Sequence, residues 1–318
     1  MITGAAGVVG RVLAARLRAD GVEVVGVDRV ADPASAIVAG DISEPGEWQA
    51  LAAGCDVLFH TAALVSMPSD TSAFWAVNVR GTRLALEAAR DHGVERMVHF
   101  SSVVTFGLDF PDQVEESYPV CPTGVAYVDT KIAAEQVVLM AHAAGEQQVT
   151  VIRPGDIYGP GSRPWVVMPL EQIRARRFAV PAMGRGIHSP VYVDDVVEGV
   201  VRAADSPQAA GRVITLSGGV GVETRDYFGR LAQIAGLKAP ASVPTAVGLA
   251  YGALLDRQAR IRRVPNEVTP DGVRYLAYRR GTYSVRTARE LLGWEPGTGL
   301  DAGMALTAEW LRSREAQL

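Results

Sequence analysis

Four short hydrophobic runs, spaced through the first half of the chain, restrict the fold more than any other feature. VEVVGVD (residues 22–28), CDVLFHTA (55–62), RMVHFSS (96–102) and VTVIRPG (149–155) are apolar almost without interruption, as strands covered on both faces are. Between them stand helical patterns such as VGRVLAARLRAD, FWAVNVRGTRLALEAARDHG and AYVDTKIAAEQVVLMAHAAG. Strand–helix alternation of this kind predicts an α/β fold, a doubly wound parallel sheet with right-handed crossovers and ligands beyond the carboxyl ends of its strands. After Ile152 the alternation gives way to RPGDIYGPGSRP, rich in proline and glycine, and the later elements are irregular.

At 318 residues, 48% of them hydrophobic, the chain can bury a full core. A net charge of −4 without a basic cluster gives nucleic acid no electrostatic footprint. Two cysteines, Cys55 and Cys121, are too few for a disulfide scaffold or a four-thiolate metal site, and the five histidines lack metal-ligand spacing, so no metal is expected. No secretory signal is visible before the first glycines. The most apolar late stretch, PTAVGLAYGALL (244–255), is about 12 residues against the ~20 of a spanning helix. A cytoplasmic protein without a membrane span is therefore expected, with 244–255 a helix lining a core or pocket.

ITGAAGVVGRVLAARL places Gly4, Gly7 and Gly10 at three-residue spacing between a strand and a helix. Glycines there permit a tight turn and let the backbone approach a pyrophosphate, which rests on a helix N-terminus whose free N–H groups favour an anion. The spacing is G-x-x-G-x-x-G, not the G-x-G-x-x-G of the dehydrogenase fingerprint, and alone it is a weak signal, with a structural turn as the alternative. Asp28 strengthens it by closing the next strand, where a carboxylate accepts hydrogen bonds from the adenosine ribose. A carboxylate also repels a 2′-phosphate, so Asp28 favours NAD over NADP, while Arg29 beside it keeps NADP open. Only Met1 and Ile2 precede Thr3, so the first strand is expected to be very short, as in a chain whose start is truncated or misassigned. The fold is thus expected to be Rossmann-type: residues 1–160 plus about 190–220 form the NAD(P)-binding domain, and about 160–190 and 220–318 a smaller C-terminal substrate lobe.

Tyr127 and Lys131, in YVDTK, stand four apart on one helical face. The chain has nine tyrosines but only two lysines, Lys131 and Lys238, so about 0.06 such pairs are expected by chance. A lysine ammonium is a compact point charge that a guanidinium does not replace. An alcohol that gives up hydride must also lose its hydroxyl proton to a base. Tyrosine, with an unperturbed pKa of about 10, is a poor base at neutral pH unless a nearby ammonium stabilises the phenolate. The pair therefore suits hydride-transfer chemistry; the alternative is a solvated helical surface.

TGAAGVVG, HTAA, NVRGT, FSS, YVDTK and RPGDIYGPG occur in this order. Together they resemble the extended short-chain dehydrogenase/reductases, the NAD-dependent epimerase/dehydratase superfamily, over nearly the whole chain. The resemblance implies a nicotinamide cofactor and a catalytic trio, Ser102, Tyr127 and Lys131, with Ser101 one residue out. It implies cofactor contacts from Ala6 and Val8 in the glycine turn, from Asp41 near adenine and its neighbour Ile42, from Ala62 and Ala63 along the cofactor, and from Tyr127, Lys131 and Pro154. Asn78, in NVRGT, either organises its helix or touches the cofactor. A homodimer paired through the helices bearing Asn78 and Lys131 is a further expectation of the resemblance.

Two positions bear on the substrate. In nucleotide-sugar members RPGDIYGPG resembles R-x-x-N-x-Y-G-P, with the asparagine facing a diphosphate; Asp156 stands there instead, and a carboxylate beside a diphosphate is electrostatically adverse. Those enzymes commonly carry Arg-Asp before their V-x-D segment, where this chain has His188 and Ser189, removing a second phosphate partner. Asp156 and His188 are accordingly expected to face substrate, as is Ser102. SVPTAVGLAYGALL, NEVTPDGVRYL and GTYSVRTARELLGWEP resemble the C-terminal lobe of 3β-hydroxysteroid dehydrogenases. The expected protein is an NAD(P)-dependent dehydrogenase or reductase interconverting a secondary alcohol and ketone on a hydrophobic small molecule of steroidal kind. The alternatives are a nucleotide-sugar epimerase or dehydratase and a non-catalytic NAD(P)-binding regulator. VVTFG after Ser102 lacks the carboxylate a dehydratase commonly needs, and an intact Ser102, Tyr127 and Lys131 argues against the regulator. Asp194 and Asp195 are expected to cap the helix VVEGVVRAA.

Overall fold

Apolar runs become interior strands only where both faces of a sheet are covered, and the computed structural model, which describes residues 1–65, 71–262 and 266–315, has that arrangement. Strands β1 (Ile2–Thr3), β2 (Gly26–Asp28), β3 (Ile37–Ala39), β4 (Val57–His60), β5 (Arg96–Phe100) and β6 (Gln148–Pro154) form one parallel sheet with Val213–Leu216. The order is Val213–Leu216, β6, β5, β4, β1, β2, β3, so the chain winds outward in both directions from β1. A crevice opens at that reversal, at the carboxyl ends of β1 and β4.

The helices are α1 (Val8–Ala19), α2 (Thr71–Phe74), α3 (Gly81–Asp91), α4 (Ala126–Ala143), α5 (Met168–Arg174), α6 (Val193–Asp205), α7 (Thr224–Ile234), α8 (Thr245–Arg262), α9 (Pro270–Tyr278), α10 (Arg286–Leu292) and α11 (Leu300–Glu315). A wider turn, Trp75–Arg80, joins α2 to α3. Alternation along the strands builds two cores. One face sends Ile2, Phe59, Val98, Ile152 and Ile214 against Leu13 and Leu17 of α1, Val196, Val197 and Val200 of α6, and Trp294. The other sends Val27, Leu58, Met97, Val149 and Val151 against Leu84, Ala85 and Ala88 of α3, Val138 and Ala141 of α4, and Trp48. Two-sided burial is why these strands read as continuous apolar runs. A third cluster joins Tyr158, Leu170, Tyr227, Phe228 and Met304 beyond the sheet.

Some local expectations needed revision. The run 22–28 contributes only Gly26–Asp28 to the sheet, and β3, within the polar-flanked ASAIVAG, was not anticipated. The late apolar helix runs on to Arg262, well past residue 255. Asp194 and Asp195 are not caps: α6 begins at Val193 after Tyr192, without a side-chain cap. The Asp195 carboxylate instead accepts hydrogen bonds from the Thr298 N–H (2.8 Å) and hydroxyl (3.0 Å), tying α6 to the approach of α11.

Candidate active site

The glycine turn joins β1 to α1 at the crevice. Gly4 has φ +72°, and a Cβ on it would sit 2.7 Å from the Ala62 backbone, so the loop after β4 lies directly against the turn. A Cβ on Gly10 would meet the Gly4 carbonyl at 2.3 Å, which is what packs α1 closely onto the turn. Gly7 is exposed and immediately precedes α1, whose first turn carries no acidic residue to compete with an anion. The Asp28 carboxylate, at the end of β2, accepts hydrogen bonds from the N–H groups of Ala6 (2.9 Å) and Arg29 (2.8 Å). It therefore bridges to the turn, and each oxygen keeps a lone pair for a ribose hydroxyl. Val8, first residue of α1, is half-buried, as are Ala62 and Ala63. Asp41 is exposed, and hydrogen bonds from the Ser43 hydroxyl (2.7 Å) and N–H (2.9 Å) hold its pKa below the ordinary value. The Ile42 side chain is buried and packs at Gly81.

The catalytic candidates converge at the carboxyl end of β5. Ser102 precedes the short helical turn Val103–Phe106, whose Val104 N–H donates to its hydroxyl at 3.3 Å. Tyr127 and Lys131 lie in the first turns of α4, and Lys131 reaches the end of β5. Burial pushes the Tyr127 phenol up to about 12, against a hydrogen bond with Ser102 and with the charge of Asp156 adding to the rise. Lys131 is 4% exposed, and its Nζ donates to the Phe100 carbonyl at 2.8 Å. Burial lowers its pKa to about 8, opposed by the charge of Glu135. The Lys131 ammonium is thus engaged by the Phe100 carbonyl, and burial raises the Tyr127 phenol where the sequence led us to expect one lowered by its lysine.

Beneath this trio is a layer the sequence reading missed. Glu135, one turn beyond Lys131, accepts from the Ser101 hydroxyl (2.7 Å) and pairs with Arg153 of β6, Nε to Oε2 at 3.1 Å. Arg153 also lies 4.7 Å over the Phe106 ring. Both members are almost fully buried. Their spacing gives a signal after the fact: Glu135 shares the Lys131 face, and Arg153 opens RPGDIYGPG. Asn78 locks the loop after β4 to α4, accepting from the Leu64 N–H (2.8 Å) and donating to the Leu64 carbonyl (3.1 Å) and the Thr130 hydroxyl (3.1 Å). All its polar atoms serve this tie, so it organises the helix. Stacked below are His60 and His99, rings 5.5 Å apart and fully buried. Burial and then Lys131 hold His60 at about 3; burial, His60 and Lys131 hold His99 well below its ordinary value.

Pro154 is buried at the end of β6, and the chain runs on to Asp156. The structure brings Asp156 and His188 together, but in a closed cluster and not on an open wall. Asp156 pairs with Arg279 (Nη1 to Oδ1, 3.1 Å) and accepts from the Tyr275 hydroxyl (2.7 Å) and the Ser189 N–H (2.9 Å). Burial opposes ionisation of Asp156, yet Arg279 and His188 outweigh it and hold the carboxyl far below the usual range. His188 is 0% exposed, packed on Trp165 and Tyr227, with Nδ1 3.0 Å from Asp156 but out of line for a hydrogen bond. Asp156 is thus occupied by internal partners, and His188 is enclosed among aromatic rings. Arg279 and Tyr275, both on or just after α9, lie too far along the chain to be anticipated.

Residues 1–216 match the NAD dependent epimerase/dehydratase family. The chain belongs to this family. Among its relatives are a 4-hydroxy-2-methyl-3-oxo-4-farnesyl-3,4-dihydroquinoline-1-oxide ketoreductase from Stigmatella aurantiaca, 36% identical over 75% of this chain and 73% of the relative. A UDP-glucose 4-epimerase from Mycolicibacterium smegmatis is 31% identical over 99% and 98%. A 3-beta-hydroxysteroid dehydrogenase from Mycolicibacterium neoaurum is 27% identical over 96% and 89%. The structure of MoeE5 in complex with UDP-glucose and NAD superposes with a TM-score of 0.78 at 28% identity, covering 99% of this chain and 98% of that one. The family is NAD-dependent, and the cradle that a Cβ at Gly4 or Gly10 would fill, with Asp28 at its rim, fits the dinucleotide. Among the described residues no helix is long and apolar enough to cross a membrane.

Proposed function

We propose that this chain is an NAD-dependent dehydrogenase or ketoreductase that interconverts a secondary alcohol and a ketone on a hydrophobic substrate of steroidal or prenylated kind. The observation that carries it is the meeting of β5 and α4: Ser102 stands just beyond β5, and Lys131 of α4, one helical turn after Tyr127, is buried with its Nζ on the Phe100 carbonyl at the end of β5. A protonated phenol is poised to give its proton to a carbonyl oxygen, the need of ketone reduction. Gly4, Gly7, Gly10 and Asp28 would hold NAD, which when bound supplies or accepts the hydride. Ser102 would orient the substrate oxygen, and Tyr127 would give its proton to that oxygen. In the reverse direction Tyr127 removes the hydroxyl proton, a step the Lys131 ammonium favours by stabilising the phenolate. The farnesylated quinoline ketoreductase and the hydroxysteroid dehydrogenase among the relatives support a bulky apolar substrate.

A nucleotide-sugar epimerase is the second reading, favoured by one observation. Arg279 neutralises Asp156, so the carboxylate alone does not bar a diphosphate. A screen that follows NADH absorbance across steroid ketones, prenylated quinolones and alkyl β-keto acids, with conversion of UDP-glucose assayed in parallel, separates the two. Turnover of a hydrophobic ketone supports the first reading; conversion of UDP-glucose alone overturns it.

A further inference from the structure

The outer face of α8 has no role in the chemistry above. Val247, Leu254 and Ile261 are 53%, 52% and 73% exposed. They recur every seven residues, and since an ideal helix drifts ~20° per heptad they stay within about 40° of one another. Ala246, Ala250 and Ala253 are exposed beside them, so the first three turns present no charge to solvent. Arg257 and Arg262, both exposed, fall on opposite flanks of this stripe near its C-terminal end. The single acidic residue of α8, Asp256, is half-buried, and its step of about 200° from Leu254 puts it on the other side of the helix. On the neighbouring α9, Asp271 is paired with Arg274 at 2.7 Å. The inner side of α8 is closed by Gly248, beside Val273 and Pro181, and by Gly252, beside Thr269, which fixes which face turns outward.

We propose that this face docks α8 on an anionic phospholipid surface, lying in the plane of the membrane. Val247, Leu254 and Ile261 enter the acyl boundary, while Arg257 and Arg262 extend their stems along it and place their guanidinium groups among the phosphates. Charge complementarity selects this occupant: the chain carries −4 overall, yet among the described side chains the exposed side of α8 has two cations and no carboxylate. The docking goes beyond the activity proposed above; only its use, collecting an apolar substrate from the bilayer, rests on that reading.

Full-length protein is floated with phosphatidylcholine vesicles carrying about one-third phosphatidylglycerol and, separately, with phosphatidylcholine alone. Binding to the anionic vesicles is expected to exceed binding to neutral ones by about tenfold and to fall with added salt. Leu254→Glu and Ile261→Glu, exposed and without consequence for the core, are each expected to lose about tenfold in partitioning, and Arg257→Gln/Arg262→Gln to bind both vesicles alike. Failure of the wild type to float with anionic vesicles, or Leu254→Glu floating as well as wild type, would overturn the proposal. So would a dimer mass in solution that Leu254→Glu reduces to a monomer while vesicles bind neither protein, because the face would then belong to a second copy. Vesicle flotation needs no turnover, so it fails or succeeds independently of the proposed activity.

Discussion

At the residue scale the proposed activity turns on the Tyr127 proton. Replacing Tyr127 with phenylalanine removes the hydroxyl proposed as proton donor and leaves the glycine turn untouched, so kcat/KM is expected to fall by about 10²–10⁴ while the NAD dissociation constant, read by fluorescence titration, moves less than about threefold. Asp28→Ala acts at the proposed ribose end of the cofactor. It frees the Ala6 N–H and withdraws the proposed ribose acceptor, so NAD binding is expected to weaken by about tenfold and NADP binding by less. An unchanged ratio of the two dissociation constants would remove Asp28 from nucleotide selection. The placement of both residues was legible in the sequence because its evidence is local: Tyr127 and Lys131 are one helical turn apart on α4, and Asp28 ends the strand that follows the glycine turn. Asp156 was not legible in the same way. Its position suggested an open carboxylate, but its partner Arg279 lies 123 residues away, and no local spacing reveals a pairing over that distance.

At the scale of elements, α4 is held in register by the buried Glu135–Arg153 pair, which joins it to β6 and, through Ser101, to β5. Removing one partner strands a buried charge, so Glu135→Gln is expected to destabilise the fold by about 3–5 kcal/mol in urea unfolding, whereas replacing both partners with apolar residues of similar volume is expected to recover most of that loss. A single variant within about 0.5 kcal/mol of wild type would show that the pair does not brace α4. The same scale explains which elements the sequence revealed. β4, β5 and β6 are covered on both faces and read as continuous apolar runs. At the sheet edge, β3 is three residues long, with Ile37 buried but Val38 and Ala39 exposed, and so lacks a pattern to read. α8 was legible as an apolar helix, but which of its faces stays outside depends on the fit of Gly248 and Gly252 against residues of other elements.

Across the whole molecule, three buried histidines, His60, His99 and His188, have pKa values lowered by burial. In the unfolded chain each titrates at about 6.5, so below that pH the unfolded state binds more protons than the native one. Their contribution to stability is complete above about pH 6.5 and is lost as pH falls toward the lower native values, at up to ~1.4 kcal/mol per pH unit for each histidine. Both ring nitrogens of His99 lack a hydrogen-bond partner, so His99→Leu is expected to fold and to flatten the slope between pH 6.5 and 4 by about one proton, as measured by denaturant titration at each pH. At this scale the fold, the family and the NAD cradle agree, and the substrate distinguishes the two readings. The most direct test supplies NADH deuterated at the transferred position together with a hydrophobic ketone and follows the label by mass spectrometry. The account predicts one deuterium on the carbinol carbon of the product per NADH consumed, lost in Tyr127→Phe. Conversion of UDP-glucose to its epimer with no net NADH consumed, and no label in any ketone, would contradict it.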